Sequence, residues 1–286
     1  MSRRAALGLA VAVLAISWGA PLARLTDAAP LAVAMWRMVL ATALLAPVAA
    51  ARGELRVPRQ RQAAALLAGV CLGLHFGLWI PSLWLTSVSA SVVLVTTGPL
   101  WVLLASPRFL GVRIRPRNLA SFSLALAGVV VIAWGDFHVS LRAVLGDAMA
   151  LAGAVAASAY LVVGKRLRSE VPLAGYLTVV YGGAAATLVA GAIVLGVPLA
   201  PRSTIAWLPL FAMAAGPTLV GHTLLNWALA HLEAYRVNLA VLLEPVLASL
   251  WTWVCIGEAP PLHVLPGAAL VLVALGLEFG ARRVQV

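Results

Sequence analysis

Ten apolar stretches divided by short polar punctuation fill the chain almost from end to end. About 20 apolar residues in a helix cross a hydrocarbon core of about 30 Å. That rule places candidate spans near 5–23, 30–50, 63–85, 88–107, 118–135, 146–164, 172–195, 204–229, 235–256 and 262–280. Hydrophobic residues make up 63% of the 286 and charged residues 10%, whereas a soluble domain carries about a quarter charged residues. Too little polar sequence remains to coat so many buried helices, so lipid must cover them. Backbone polar groups cannot go unpaired in lipid, which makes each span an α-helix. Short alternating segments of the kind a membrane barrel needs are not apparent. The expected fold class is therefore all-α integral membrane.

Arg3 and Arg4 before Leu7–Ile16 imitate a secretory signal peptide. The expectation is a retained helix, because no soluble domain follows it and the internal symmetry described next needs it. Orientation follows from Lys and Arg. With the N-terminus in the cytoplasm, sixteen of the twenty fall in inside segments, Arg24, Arg142 and Arg202 fall outside, and Arg37 lies within a span. This bias predicts a multi-pass protein with both termini cytoplasmic. It also accounts for the net charge of +11 and pI of 11.3 without nucleic-acid binding, since the charges sit at successive membrane-edge loops and form no continuous patch. Cys71 and Cys255 fall inside spans, which gives a disulfide or metal site little support.

The chain repeats itself weakly. Arg24-Leu25 followed by Pro30 recurs 142 residues later as Arg166-Leu167 followed by Pro172, and Trp18 meets Tyr160 at the same offset. Thr97-Gly98-Pro99 and Leu110-Gly111 recur 146 residues later as Leu243-Glu244-Pro245 and Ile256-Gly257. The halves are 1–141 and 142–286, five helices each. Five is odd, so the second half enters the membrane from the opposite side. Inverted repeats of this kind recur in secondary transporters, with the substrate site near the midplane between them.

The stretch from Trp84-Leu85-Thr86 through Gly98-Pro99-Leu100, and the stretch from Asn226-Trp227-Ala228 through Leu243-Glu244-Pro245 to Gly257-Glu258, resemble the paired motifs of the EamA family in the drug/metabolite transporter superfamily. Trp18-Gly19 and Arg37 are similar to that family's first repeat. One departure is Val112 after Gly111, where the family usually has an acidic residue; the second repeat keeps it as Glu258. The resemblance implies ten transmembrane helices around a central cavity, without cofactor, exporting small molecules across a bacterial cytoplasmic (inner) membrane. It further implies amino acids as substrate, aromatic or large apolar ones, with another small-metabolite or multidrug exporter of the same superfamily as the alternative. The partners expected are that small molecule and the lipid bilayer, with a monomer as the simplest assembly.

Several side chains are candidates for the path. Ala65, Gly69, Gly73 and Gly77 recur every fourth residue and share one face of the third span, suited to close packing. His75 and Trp79 lie two residues out of phase, on the opposite face near the midplane, where an ionisable ring in lipid would be costly. They read as cavity residues, against a packed His and an interfacial Trp. His222 and Asn226 are also four apart, and for Asn226 an interhelical hydrogen bond is an equal reading.

Pro99 and Pro245 sit about halfway through matched spans and predict kinks, with Gly98-Pro99 presenting Trp101 near the midplane. Trp18, Tyr160 and Tyr181 are further candidates for cavity walls, while Trp36, Trp84, Trp134, Trp207 and Trp253 lie near span ends and suit the interfacial belt. Arg37 and Glu244 are intramembrane charges. Arg37 can bind a substrate carboxylate or hold helices together, and Glu244 can couple protons or stay buried and hydrogen-bonded. No nucleophile elbow, His-Glu-x-x-His or nucleotide-binding loop appears, so neither an enzyme nor an ATP-driven pump is expected.

Overall fold

The computed structural model describes residues 3–86, 88–111, 115–133, 140–167, 170–257 and 264–280. Trp134, Val112 and Glu258, singled out above, lie outside them. The described residues form helices joined by turns and short links, without a strand among them. In order the helices are α1 (Arg3–Ile16), α2 (Gly19–Arg24), α3 (Pro30–Ala51), α4 (Arg59–Ser82), α5 (Val88–Val95), α6 (Gly98–Leu110), α7 (Pro116–Ala133), α8 (Leu141–Leu167), α9 (Leu173–Val194), α10 (Trp207–Met213), α11 (Thr223–His231), α12 (Ala234–Val241), α13 (Glu244–Ile256) and α14 (Val264–Gly280). A π-helical stretch, Ala214–His222, joins α10 to α11. Among the described residues, six segments are long and apolar enough to cross a membrane: Arg4–Arg24, Pro30–Ala51, Arg59–Ser82, Leu141–Leu167, Leu173–Val194 and Thr204–His231. The remaining apolar helices are shorter.

Proline chemistry explains where the helices break. A proline inside a helix has no N–H for the carbonyl four residues earlier and its ring collides with that carbonyl. Pro99 is four residues after Val95, where α5 ends, and Pro245 is four after Val241, where α12 ends. The chain turns through Thr96-Thr97 and Leu242-Leu243, and each proline then sits in the first turn of the next helix, where a missing N–H is harmless. At both positions the regular helix is interrupted for two residues, while Thr97, Leu242 and Leu243 keep right-handed helical angles, the geometry of a kink. Pro21 likewise follows the turn at Ser17-Trp18. Pro217 is four residues after Met213, where α10 gives way to the π-helical stretch.

α6 and α13 share one design. Each has 13 residues, opens with proline in its first turn and closes on a left-handed glycine, Gly111 at φ 66° and Gly257 at φ 81°, a conformation that lets the cap N–H return to the helix.

Packing is interleaved. α4 lies against α8 and α9, α3 against α9, α1 against the π-helical stretch and α11, and α7 against α14. The glycine stripe of α4 faces α9, where a Cβ at Gly69 would stand only 2.7 Å from the Val180 carbonyl oxygen and 3.1 Å from Gly183 Cα. The absent side chain is what permits backbone contact. Several buried hydroxyls are returned to their own helix, as in Thr96 to Val92 O at 2.8 Å and Ser106 to Val102 O at 2.7 Å. Large apolar side chains such as Leu7, Leu104, Leu145, Val254 and Leu265 face outward, each more than half exposed. That is the surface a bilayer solvates.

Helix ends are closed by long basic side chains. Lys165 Nζ donates to Leu229 O at 2.6 Å and to Leu232 O at 2.8 Å, and Arg166 donates from Nε and Nη2 to Phe109 O. Toward the other ends of α4 and α8, Arg24 reaches Leu83 O at 3.3 Å and Arg142 reaches Trp84 O at 3.1 Å. Each satisfies carbonyls that a helix terminus leaves bare and complements the helix dipole.

Candidate functional site

The broken helices converge on a cavity of about 70 Å³. Its walls come from the end of α1 (Ile16), the α5–α6 turn (Val95, Thr96, Gly98), the α12–α13 junction (Val241, Glu244) and the π-helical stretch (His222), all beside a proline-directed break. α3 contributes Arg37, α4 contributes Leu72, His75, Phe76 and Trp79, and α8 contributes Ala157, Tyr160 and Leu161. Sequence separation between these elements is large, so the cavity exists only in the packed bundle.

His75 is fixed by its ring. Its Nδ1 lies 3.0 Å from the Gly153 carbonyl oxygen, which can only accept, so Nδ1 carries the proton and Nε2 is left as an acceptor. The ring stacks on Trp79 with centroids 5.8 Å apart and planes 10° apart, and touches Phe76 at 4.6 Å. Phe76 in turn meets His222 edge-on at 5.3 Å. Four rings from α4 and the π-helical stretch thus form one aromatic wall, each pair in an arrangement the ring quadrupoles favour.

Arg37 is 1% exposed, deep in the bundle. Its Nε donates to Thr218 Oγ1 at 2.8 Å, and the Thr218 hydroxyl donates onward to Met213 O at 3.0 Å. Met213 is the residue whose carbonyl Pro217 cannot serve, so the threonine supplies the missing donor. The guanidinium carbon stands 4.1 Å from the Phe76 ring centroid, a cation–π contact that orients its plane. Tyr181 OH lies 3.3 Å from both Thr218 O and Thr223 Oγ1 and braces the same stretch. Glu244, 7% exposed, opens α13 and faces the cavity; a carboxylate at this first position suits the helix dipole.

His75, Trp79, Tyr160, His222, Gly98, Arg37 and Glu244 are therefore brought together around the cavity. Asn226, Tyr181, Trp18, Trp101, Pro99 and Pro245 stand outside its wall. Asn226 donates to Tyr160 OH and, at 2.7 Å, to His222 O, so it holds two wall residues from behind. Trp18 is stacked on Trp251 with centroids 4.7 Å apart, and Trp101 Nε1 turns back to Thr97 Oγ1 at 3.4 Å. Among the residues thought interfacial, Trp36 and Trp207 pack edge to face at 4.8 Å. Phe76 and Thr218 are contributors that sequence reasoning passed over; Phe76, three residues after Gly73 and seven after Gly69, shares the phase of the glycine stripe and so reads as a packing residue.

Comparisons with known proteins agree with this architecture. The chain resembles an uncharacterized transporter, YdfC, of Bacillus subtilis (strain 168) at 25% identity over 223 residues, covering 77% of this chain and 72% of that protein. It is 28% identical over 263 residues to an uncharacterized transporter of Archaeoglobus fulgidus, covering 86% and 87%. A solved crystal structure matches with a TM-score of 0.80 at 25% identity over the full length of both chains. The model of the EamA-like transporter family matches twice, at residues 3–134 and 144–279. With apolar helices fit to span a membrane, a cavity walled by helix breaks and two consecutive family matches, the chain belongs to the EamA-like transporter family and is a multi-pass membrane transporter.

Proposed function

We propose that this transporter exports amino acids, aromatic or large apolar ones, from the bacterial cytoplasm by alternating access, working as the bacterial aromatic amino acid exporter YddG does. In this reading ten membrane passes form two inverted halves, 1–141 and 142–286. The broken pairs α5–α6 and α12–α13 count as single passes, and both termini face the cytoplasm. Support comes from the two family matches, from the shared design of α6 and α13, and from the sixteen Lys and Arg on one side. The substrate sits in the cavity against His75, Trp79, Tyr160 and His222, with Asn226, Tyr181, Trp18 and Trp101 as supports and the breaks at Pro99 and Pro245 as gating points.

The single observation that carries the substrate class is the chemistry of the wall. Leu72, Phe76, Trp79, Val95, Leu161, Leu225 and Val241 give it rings and branched aliphatic surface, with one arginine, two histidines and one glutamate among them. Such walls favour a ligand with an apolar body and few charges. The test is counterflow in proteoliposomes with labelled amino acids and a cationic dye. Exchange of phenylalanine, tryptophan or leucine well above empty liposomes is expected; exchange of the dye alone would contradict the reading.

A further inference from the structure

Arg37 and Glu244 face one cavity, yet no ion pair joins them. The ion pairs among the described residues are Arg61–Glu170, Arg202–Asp27 and Arg236–Glu233, all away from the cavity. Arg37 spends its Nε on Thr218, but its Nη1 is buried with no hydrogen-bond partner. Trp79 Nε1 and His222 Nδ1 are in the same condition. Trp79 and Arg37 also come together on the α2 side, since a Cβ on Gly19 would lie 3.4 Å from the indole and 3.7 Å from Arg37 Nη1. Buried polar groups are nearly always paired, and three unpaired ones on side chains that line one cavity point to a polar partner that joins them there.

A ligand suited to this arrangement carries both signs. A pure anion would satisfy Arg37 and be repelled by Glu244, and a pure cation would meet the reverse. A molecule with an anionic and a cationic group on one carbon places each beside its opposite, while its remaining bulk lies against Leu72, Leu161, Leu225 and Val241.

We infer that Arg37 and Glu244 are the two ends of a zwitterion grip: Arg37 Nη1 donates to the α-carboxylate of an amino acid and the Glu244 carboxylate accepts from its α-ammonium. The inference rests on the amino acid reading above and adds to it the residues that select the backbone of the substrate. Trp79 Nε1–H is the second donor toward the carboxylate. The Thr218 bond and the Phe76 contact hold the guanidinium in place before the substrate arrives, so little ordering remains to be done on binding.

The test uses purified full-length transporter in nanodiscs, with calorimetric titration of L-phenylalanine, phenethylamine and 3-phenylpropionate. These three share the ring and differ only in the charged groups. In the parent, phenylalanine should bind at least tenfold more tightly than either analogue. Glu244→Gln should lower phenylalanine affinity at least tenfold, to the level of 3-phenylpropionate, while leaving 3-phenylpropionate no weaker than in the parent. If either analogue binds the parent as tightly as phenylalanine, the grip is wrong while the amino acid reading stands. If Glu244→Gln melts like the parent and keeps its preference for phenylalanine, Glu244 is not the ammonium site. If no amino acid binds the parent and a dye or other metabolite does, the amino acid reading falls and the grip with it. The analogue series in the parent decides the matter even where the variant does not fold.

Discussion

Thr218 stands between Arg37 and the carbonyl of Met213, accepting from the Arg37 Nε at 2.8 Å and donating to Met213 O at 3.0 Å. One hydroxyl thereby adds a donor at the carbonyl that Pro217 cannot serve and anchors a cation buried in the bundle. Thr218→Val keeps the shape and removes both bonds, leaving Arg37 Nε buried and unpaired. Such a loss costs about 1–3 kcal/mol. The variant should melt earlier and exchange substrate more slowly, and Thr218→Ser should restore both. A valine variant that melts and exchanges like the parent would show that the guanidinium does not depend on this bond.

The breaks before Pro99 and Pro245 put Val95, Thr96, Gly98, Val241 and Glu244 into the cavity wall. Pro99→Ala or Pro245→Ala restores the missing donor and lets the two short helices fuse, which should shift the balance of inward- and outward-open forms. A shift of about 1.4 kcal/mol changes that ratio tenfold. Exchange in proteoliposomes should slow by about that factor while binding affinity changes less, because a full cycle needs both forms. Unaltered exchange in both variants would make the breaks features of packing alone.

Close backbone approach predicts an intolerant position. Gly69→Ala drives a methyl to within 2.7 Å of Val180 O across the α4–α9 contact; overpacking of this kind costs about 1–3 kcal/mol. Gly191→Ala on α9, with nothing within 4 Å, should stay within about 0.5 kcal/mol of the parent. Thermal unfolding of the two variants in the same detergent separates the cases; equal melting would mean that the contact has room to relax.

Labelling gives a further check on which face looks inward. In a background lacking Cys71 and Cys255, a cysteine at Leu161, on the cavity wall, should react with a small water-soluble thiol reagent, and substrate should slow the reaction. A cysteine at Val180, buried between α4 and α9, should not react. Equal protection at both positions would contradict the assigned wall.

Much of this architecture was legible in the sequence because lipid imposes simple demands. Unbroken apolar runs could only be helices, and the four-residue glycine spacing on α4 placed His75 and Trp79 on the face opposite α9. The proline offset of 146 residues marked matched positions, but not their outcome. How far regular hydrogen bonding lapses at such a kink depends on whether neighbours can satisfy the freed carbonyl, and neighbours are invisible in a single chain. Thr218 was missed for a related reason. Its hydroxyl reads like any threonine returning to its own helix until Arg37, 181 residues away, is packed beside it. Trp18 is a wall candidate because rings suit an apolar substrate and Trp101 because it follows the Gly98-Pro99 kink, whereas the stacking of Trp18 on Trp251 and the turn of Trp101 toward Thr97 are set by rotamer and tertiary contact.

The central claim is that substrate crosses the membrane through the cavity framed by the helix breaks, and filling that cavity tests it most directly. Ala157 lines it from α8 and is only partly buried, so a large side chain there projects into the open volume. Exchange of labelled phenylalanine should be measured in proteoliposomes for Ala157→Trp beside its melting temperature, with Ala157→Leu as the smaller step. The account predicts at least a tenfold fall in exchange for the tryptophan and a lesser fall for the leucine, with the folded protein retained. Exchange at the parent rate in a folded Ala157→Trp transporter would mean that substrate takes another path.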